Sequence, residues 1–437
     1  MRVAVVGASV AGWRAARALR EQGYTGGITV IGGERHRPYD RPPLSKQLLT
    51  GKVTVEQLAL EDAAGLDLDV RLGVEAAALD LGERRLGLAD GTSVDFDGLI
   101  LATGAAPRSL PGTVGIPGVH LLRTLDQSLD LRAALLEASR LVVVGAGFIG
   151  LEVASSAAAL GVEVTVLEAA AAPVERAVGA EVGGAVAAWH RRHGIDVRVG
   201  TGVAGLETDP ASGRVTGVRL AAGGAPTGDR SAGDHPTGGA PTGGTPTGDD
   251  TAAGAPTGDR SVGKILPADV VVIGIGAAPV TGWLTGSGVD LDGGIRTDSR
   301  LRVLAGGTPL PWAAAAGDVA RWDHPVLGRP VRAEHWTNAV EQGDAAALAL
   351  LRGDAAPNFA PIPYVWSDQL GSKLQVVGDP QPEDEVQVVD GSLDEDRWVV
   401  AYGREGRLTA AAGLGRPARV MKLRTLLATG ASFPLNV

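Results

Sequence analysis

A glycine-spaced turn between an apolar run and a small-residue run constrains the fold of this chain more than any other feature. Gly145, Gly147 and Gly150 occupy the three glycine positions of the pattern G-x-G-x-x-G. Residues 141–144 before the turn predict a strand, and residues 149–160 after it predict a helix closed by Gly161. In such a unit the glycines permit the tight turn, the approach of a pyrophosphate and close helix–strand packing. The pattern predicts a dinucleotide-binding unit, the alternative being a glycine-rich turn without a ligand.

An acidic residue ends the next predicted strand, Glu163–Leu167. Glu168 stands 18 residues after Gly150, where a carboxylate accepts hydrogen bonds from a ribose 2′-hydroxyl. The four residues after Glu168 are all alanine, so no arginine is at hand to bind a 2′-phosphate. This arrangement predicts NADH rather than NADPH.

A second, less complete glycine turn lies at the start of the chain. Gly7 and Gly12 match the first and third glycines, whereas Ser9 replaces the second. Residues 3–6 and 28–31 predict strands around a helix over 11–22, and Glu34 ends the second strand. Because a small serine hydroxyl can itself meet a phosphate, binding is retained. Two such turns about 140 residues apart predict two different dinucleotides, for which FAD and NADH are the obvious pair.

A proline-rich basic loop follows the first unit at residues 37–46. Its prolines favour an extended backbone that carries Arg41 and Lys46. Two interpretations stay open from composition alone. The loop is either a solvated basic segment, or it supplies an arginine to a pyrophosphate and a lysine beside a flavin ring.

Composition excludes several classes of chemistry. The chain of 437 residues has no cysteine, which excludes disulfide frameworks, thiolate metal sites and cysteine nucleophiles. The net charge of −10 argues against a general nucleic-acid binder. The seven histidines lack metal-ligand spacing, and His190 and His193 are expected as solvated groups on a surface helix. We expect no metal, no signal peptide, no membrane span and a cytoplasmic location.

One segment interrupts the alternation of strands and helices. Residues 221–263 are almost entirely Gly, Ala, Pro, Thr, Asp and Ser, with Pro-Thr-Gly repeated five times. Such a composition buries little apolar surface and predicts disorder. The flanking residues 217–220 and 264–266 resemble two strands of a hairpin, so the segment is interpreted as an insertion at a loop tip. After about residue 330, clustered tryptophans and alternating strands predict a smaller α+β domain.

Several motifs occur in order: the loop at 37–46 and segments 101–108, 145–152, 274–276, 316–319, 334–336 and 364–369. Together they resemble FAD-dependent NADH:ferredoxin reductases of oxygenase and cytochrome P450 chains, the putidaredoxin reductase type. The resemblance implies an α/β fold with two Rossmann-like FAD- and NAD-binding domains and a smaller α+β C-terminal domain. The expected division is 1–112 and 280–330 for FAD, 113–279 for NAD with insertion 221–263, and 331–437 for the C-terminal reductase domain.

The resemblance also implies site residues. The expected FAD-binding residues are Gly7, Ser9, Ala11, Gly12, Glu34, Arg41, Lys46, Val74, Thr103, Gly104, Arg123, Asp318 and Trp336. The expected NAD-binding residues are Gly145, Gly147, Ile149, Gly150, Glu152, Glu168 and Gly276. Lys46 and Glu152 are expected to pair near the flavin and nicotinamide. Two alternatives stay open: Glu152 complements a helix dipole, and Asp318 is a turn or N-cap residue instead of a ligand of the ribityl chain.

The resemblance implies electron transfer from NADH through FAD to a small acidic iron–sulfur ferredoxin, and through it to an oxygenase or P450. Without cysteine, electrons leave the flavin directly. Arg416, Arg419 and Lys422 form a basic run that is either a docking site or a solvated helix face. The alternatives are a reductase of rubredoxin, quinone or oxygen, an apoptosis-inducing-factor-like binding flavoprotein, or a relative that has lost its flavin.

Overall fold

A computed structural model describes residues 1–60, 65–221 and 263–436. The first glycine turn follows a strand of a nine-stranded sheet. This strand, Arg2–Val6, is buried from its second residue onward and pairs in parallel with a strand on each side. Helix α1 (Val10–Glu21) follows the turn, and Gly23 with φ of 82° ends it, as predicted. The strands of this sheet are, in spatial order, Arg329–Val331, Ala320–His324, Ile295–Thr297, Arg302–Ala305, Thr308–Ala315, Gly98–Leu101, Arg2–Val6, Gly27–Gly32 and Leu68–Leu72.

The second glycine turn lies in a separate five-stranded parallel sheet. Its helices are α2 (Leu125–Glu137), α3 (Phe148–Ala159) and α4 (Glu175–Arg192). The predicted strand Glu163–Leu167 and the helix after the turn are confirmed. The strands are, in spatial order, Asp196–Arg198, Glu163–Leu167, Arg140–Val144, Val270–Ile273 and Val119–His120. Two Rossmann-like units are therefore confirmed.

Short antiparallel elements complete these two units. The hairpin predicted around the low-complexity segment is confirmed, because Val215–Leu220 pairs with Ile265–Pro267. The predicted disorder of 221–263 concerns residues that, apart from Ala221 and Gly263, lie outside the described part of the chain. The remaining short strands are Val203–Thr208 in the same sheet, Ala76–Asp80 with Arg85–Leu88 and Ser93–Asp95, and Ala105–Pro107 with Ala277–Pro279.

The C-terminal part holds two helices and an antiparallel sheet. Helix α5 (Trp336–Arg352) packs against α1, and α6 (Pro417–Ala428) packs on the C-terminal sheet. This sheet confirms the predicted α+β domain. Its strands are, in spatial order, Tyr364–Gln369, Ser372–Gly378, Arg407–Leu414, Trp398–Arg404 and Glu385–Gly391. Short 3₁₀ turns are Pro42–Ser45, Glu56–Leu58, Gly282–Leu284, Gly317–Val319 and Gly353–Ala355.

The C-terminal sheet packs directly on the second Rossmann-like unit, and the two share one hydrophobic core. The hydroxyl of Tyr402 donates to the carbonyl of Val178 in α4 at 2.8 Å. The expectation of a solvated His190 is wrong. His190 is fully buried, and its Nδ1–H donates to the carbonyl of Val186 at 2.9 Å. Burial lowers the pKa of His190 to about 4, so this imidazole is neutral near pH 7.

Candidate functional site

The second glycine turn is shaped by close backbone packing around an open centre. Gly145 has φ of 101°, and a Cβ there would lie 2.4 Å from the carbonyl oxygen of Gly274. A Cβ on Gly150 would lie 2.2 Å from the carbonyl oxygen of Gly145. At Gly147, in contrast, the nearest described atom to a Cβ would be 4.0 Å away. The outer glycines are required by the fold, whereas the central one leaves room in front of α3.

The start of α3 presents free backbone donors to that room. No side chain in the described part of the chain caps this helix, so its first amides keep hydrogen-bonding capacity. A helix N-terminus of this kind favours an anion such as a pyrophosphate. Ile149 is exposed at the same helix end. Gly276, with φ of 99°, follows the neighbouring strand Val270–Ile273, and no described atom lies within 4 Å of its would-be Cβ.

Glu168 lies beside this turn, at the end of the adjacent strand. Its Oε2 accepts from the amide of Ala146 at 2.7 Å, and its Oε1 accepts from the amide of Ala170 at 2.8 Å. The carboxylate is therefore fixed next to the second residue of the glycine turn. This is where the predicted ribose contact requires an acidic group.

The first glycine turn has the same construction. A Cβ on Gly7 would lie 2.1 Å from the carbonyl oxygen of Ala102, and one on Gly12 would lie 1.9 Å from that of Gly7. Ser9 occupies the N-cap position of α1, yet no described side chain caps that helix. Instead, the Ser9 hydroxyl accepts from Nε of Arg41 at 3.0 Å. The structure thus brings the basic loop onto the glycine turn.

Arg41 connects three of the predicted residues. Its Nη2 pairs with Oε1 of Glu34 at 2.6 Å, and its Nη1 donates to the carbonyl of Arg123 at 2.5 Å. The buried hydroxyl of Tyr39 donates to Oε2 of Glu34 at 2.5 Å, and burial raises the pKa of Tyr39. Sequence reasoning assigned no role to Tyr39, although it lies in the quoted loop.

A second ion pair lies between Arg123 and Asp318. Nη2 of Arg123 lies 2.6 Å from Oδ2 of Asp318, whose side chain is largely buried. Asp318 sits inside the 3₁₀ turn Gly317–Val319, for which Ala316 is the N-cap residue. The alternative of a helix N-cap for Asp318 is therefore not what the structure shows. A Cβ on Gly104 would lie 3.4 Å from Arg123, so these two predicted residues are neighbours as well.

The start of α5 is the third helix terminus in this region. Trp336 is its first residue, and no described side chain caps the helix. The indole Nε1–H of Trp336 donates to Oδ1 of Asp40 at 2.5 Å. Burial raises the pKa of Asp40, and the hydrogen bond from Trp336 opposes that shift. Burial lowers the pKa of His335, the N-cap residue, so no positive charge is added at this end of α5 near neutral pH.

Three further predicted residues form hydrogen bonds or close packing contacts within the first unit. The Thr103 hydroxyl donates to the carbonyl of Val280 at 2.8 Å. The amide of Val74 donates to the carbonyl of Gly32 at 3.1 Å. Ala11 is packed so closely that a Cβ on Gly317 would lie 2.9 Å from the Ala11 Cβ.

The two glycine turns are linked by a buried ion pair. Nζ of Lys46 lies 2.8 Å from Oε2 of Glu152, and both side chains are at least nine-tenths buried. The hydroxyl of Ser45 also donates to Oε2, and that of Ser367 donates to Oε1, each at 2.5 Å. The predicted pairing of Lys46 with Glu152 is confirmed. Sequence reasoning missed the role of Ser367, although the motif at 364–369 contains it.

The basic run lies at the start of α6. Lys422 is exposed and Arg419 is half-buried. Nε of Arg416 lies 3.4 Å from Oδ2 of Asp390, an acid that the linear run does not reveal. The structure therefore brings the three predicted docking residues together but partly neutralises the first.

Comparison with known proteins agrees with this arrangement. The chain is 34% identical over 433 residues to rhodocoxin reductase of Rhodococcus erythropolis, covering 98% of this chain and 90% of that protein. It is 34% identical over 432 residues to the anthranilate 1,2-dioxygenase system ferredoxin–NAD(+) reductase component of Burkholderia cepacia, covering 98% and 94%. The crystal structure of the covalent putidaredoxin reductase–putidaredoxin complex matches with a TM-score of 0.84 and 31% identity, covering 98% and 93% of the two chains.

Family models divide the chain in a similar way. The reductase C-terminal model matches residues 364–436, which contain the antiparallel sheet and α6. The pyridine nucleotide-disulphide oxidoreductase model matches residues 1–343, which contain both glycine turns and the Lys46–Glu152 pair. The chain belongs to the pyridine nucleotide-disulphide oxidoreductase family.

Proposed function

We propose that this protein is a ferredoxin–NAD(+) reductase that passes electrons from NADH through FAD to an iron–sulfur ferredoxin serving an oxygenase or cytochrome P450. The observation that carries the proposal is the buried Lys46–Glu152 pair between the two glycine turns. Lys46 ends the loop whose Arg41 bonds to the first turn, and Glu152 lies on the helix that begins at the second. Two dinucleotides bound at these turns would approach each other at this pair.

The residues present fit both cofactors. At the first turn, FAD would be held by Gly7, Ser9, Ala11, Gly12, Glu34, Arg41, Val74, Thr103, Gly104, Arg123, Asp318 and Trp336. At the second turn, NADH would be held by Gly145, Gly147, Ile149, Gly150, Glu168 and Gly276. The open centre at Gly147 and the free first amides of α1 and α3 support this assignment, because each offers a phosphate unobstructed donors.

FAD held at these residues would supply hydride acceptance from NADH and one-electron release to an acceptor. Within that chemistry, the glycine turns bind and orient the two nucleotides. The ammonium of Lys46 is oriented by Glu152 and would place positive charge beside a flavin bound at the first turn. The free amide end of α5 at Trp336 acts in the same sense through its dipole. Burial of the pair excludes water, which strengthens both effects.

The acceptor is proposed to be a small acidic ferredoxin. The chain has no cysteine, so no thiol relay stands between the cofactor and the acceptor. Arg416, Arg419 and Lys422 supply local positive charge on a chain whose net charge is −10, and the relatives named above act in ferredoxin-linked systems. In the described residues, no helix is long and apolar enough to cross a membrane. We place the protein in the cytoplasm, where NADH is available.

The domain division remains a proposal. We assign FAD binding to 1–112 and 280–330, NAD binding to 113–279, and the reductase domain to 331–437. The packing of α5 on α1 favours moving the last boundary to the segment after Arg352.

The test is reduction of the purified protein by NADH without oxygen. We expect bound FAD to bleach rapidly with NADH and slowly with NADPH, and a 2Fe–2S or related ferredoxin to be reduced catalytically. Faster turnover with rubredoxin, a quinone or oxygen would identify that compound, instead of a ferredoxin, as the acceptor. Protein without flavin absorbance, or flavin that NADH fails to reduce, would refute the proposal.

A further inference from the structure

The carboxylate of Glu152 receives donors from two separate segments of the chain. Lys46 and Ser45 come from the first unit and donate to Oε2, whereas Ser367 comes from the C-terminal sheet and donates to Oε1. Glu152 and Ser367 are almost completely buried. A buried carboxylate is stable only when its oxygens are hydrogen-bonded, so Ser367 satisfies the oxygen that Lys46 leaves free.

The hairpin that carries Ser367 directs the hydroxyl proton of Ser367 at Glu152. Ser367 and Gln369 are two residues apart on one strand and therefore face the same side, which is the buried side. Nε2 of Gln369 donates to Oγ of Ser367 at 2.8 Å. Because this bond uses Ser367 as an acceptor, its hydroxyl proton is left for Oε1 of Glu152.

Two neighbouring hydroxyls of α3 hold the segments that deliver these donors. The Ser156 hydroxyl donates to the carbonyl of Ser45 at 2.7 Å, and this bond holds the loop of Lys46 against α3. The Ser155 hydroxyl accepts from the amide of Leu370 at 2.6 Å, and this bond holds the turn after Gln369 against α3. Leu370 has φ of 48°, a left-handed conformation that an L-residue adopts only when its surroundings impose it.

We propose that Ser367 is a positioning residue for the Lys46–Glu152 pair. Its bond to Oε1 fixes the rotation of the Glu152 carboxylate, so that Oε2 stays directed at Nζ of Lys46. The C-terminal domain thereby completes the ion pair that the two Rossmann-like units begin. The inference rests on the proposed function for its kinetic consequence, whereas the hydrogen bond itself is testable without NADH.

The test compares Ser367→Ala with Ser372→Ala, a control in the same hairpin on the facing strand. We expect Ser367→Ala to slow flavin reduction at saturating NADH about tenfold, the rate equivalent of one charge-assisted hydrogen bond. The KM for NADH should change little, since the nucleotide turn is untouched. Ser367→Thr, which keeps the hydroxyl, should restore most of the rate, and Ser372→Ala should match the wild type.

Two further measurements separate positioning from general damage. In a Glu152→Gln background, Ser367→Ala should change the rate less than about twofold, because it acts through that carboxylate. In flavin-free protein, the carboxylate infrared bands of Glu152, isolated as the difference between wild type and Glu152→Gln, should move in Ser367→Ala and not in Ser372→Ala.

An equal loss of rate in the Glu152→Gln background, or unmoved infrared bands in Ser367→Ala, would overturn the role of Ser367. Failure of NADH to reduce the wild-type flavin would instead overturn the proposed function. The infrared comparison would still decide whether Ser367 holds Glu152, so the two failures are distinguishable.

Discussion

Replacing Glu168 by glutamine should relax the preference for NADH over NADPH. The Glu168 carboxylate is held by the amides of Ala146 and Ala170, and it stays half-buried beside the second glycine turn. Two unit charges 4 Å apart repel by about 4 kcal/mol at an effective dielectric of about 20. Solvent screening of a half-buried group reduces this to about 2 kcal/mol. Removing the charge should therefore shift the ratio of kcat/KM values toward NADPH by about 30-fold.

The measurement is anaerobic flavin reduction with each nucleotide, or steady-state turnover with a fixed electron acceptor. Glu163→Gln is the matched control. Glu163 is the exposed first residue of the strand that Glu168 directly follows. It changes the net charge by the same amount and should leave the preference unaltered. If Glu168→Gln keeps the wild-type preference, or if Glu163→Gln changes it equally, the assignment of Glu168 to the ribose is refuted.

Three other substitutions have definite expected outcomes. Gly147→Ala should fold with nearly wild-type stability yet weaken NADH binding at least tenfold, measured by titration, because its Cβ would enter open space that a pyrophosphate needs. Lys46→Met should lower the free energy of unfolding, measured in urea, by about 3 kcal/mol, because the buried carboxylate of Glu152 loses its cation. Lys52→Met, a change of an exposed side chain in the same region, should leave the free energy of unfolding unchanged. Arg419→Glu with Lys422→Glu should slow ferredoxin reduction and flatten its salt dependence, while reduction of the flavin by NADH stays unchanged.

The local elements were predictable because their signals lie within short stretches. The strand Glu163–Leu167 alternates polar with apolar residues at its start and follows the glycine that ends α3, and the structure reproduces it to the residue. The glycine turns were predictable for the same reason, since a positive φ at Gly145 and close approach at Gly150 exclude other side chains. The pairing of Lys46 with Glu152 followed from the family resemblance rather than from either residue's surroundings.

Features that depend on distant packing were not predictable. His190 was expected in solvent because it and His193 flank the basic pair Arg191-Arg192, yet α4 packs so that His190 is fully buried. Asp390 reaches Arg416 only because the last helix folds back on the sheet. Ser367 lies 215 residues from Glu152, and no pattern in one sequence marks such a contact.

The absence of cysteine has a structural counterpart at Ser45. This residue lies in the loop next to the buried pair, and its hydroxyl donates to Glu152. A hydroxyl can stabilise and orient a carboxylate as a thiol would, but it cannot store electrons. The loop therefore serves the ion pair and provides no disulfide to reduce, although the family takes its name from disulphide chemistry. In the proposed function, reducing equivalents that enter at the second glycine turn would therefore pass to an external acceptor without a thiol relay in this chain.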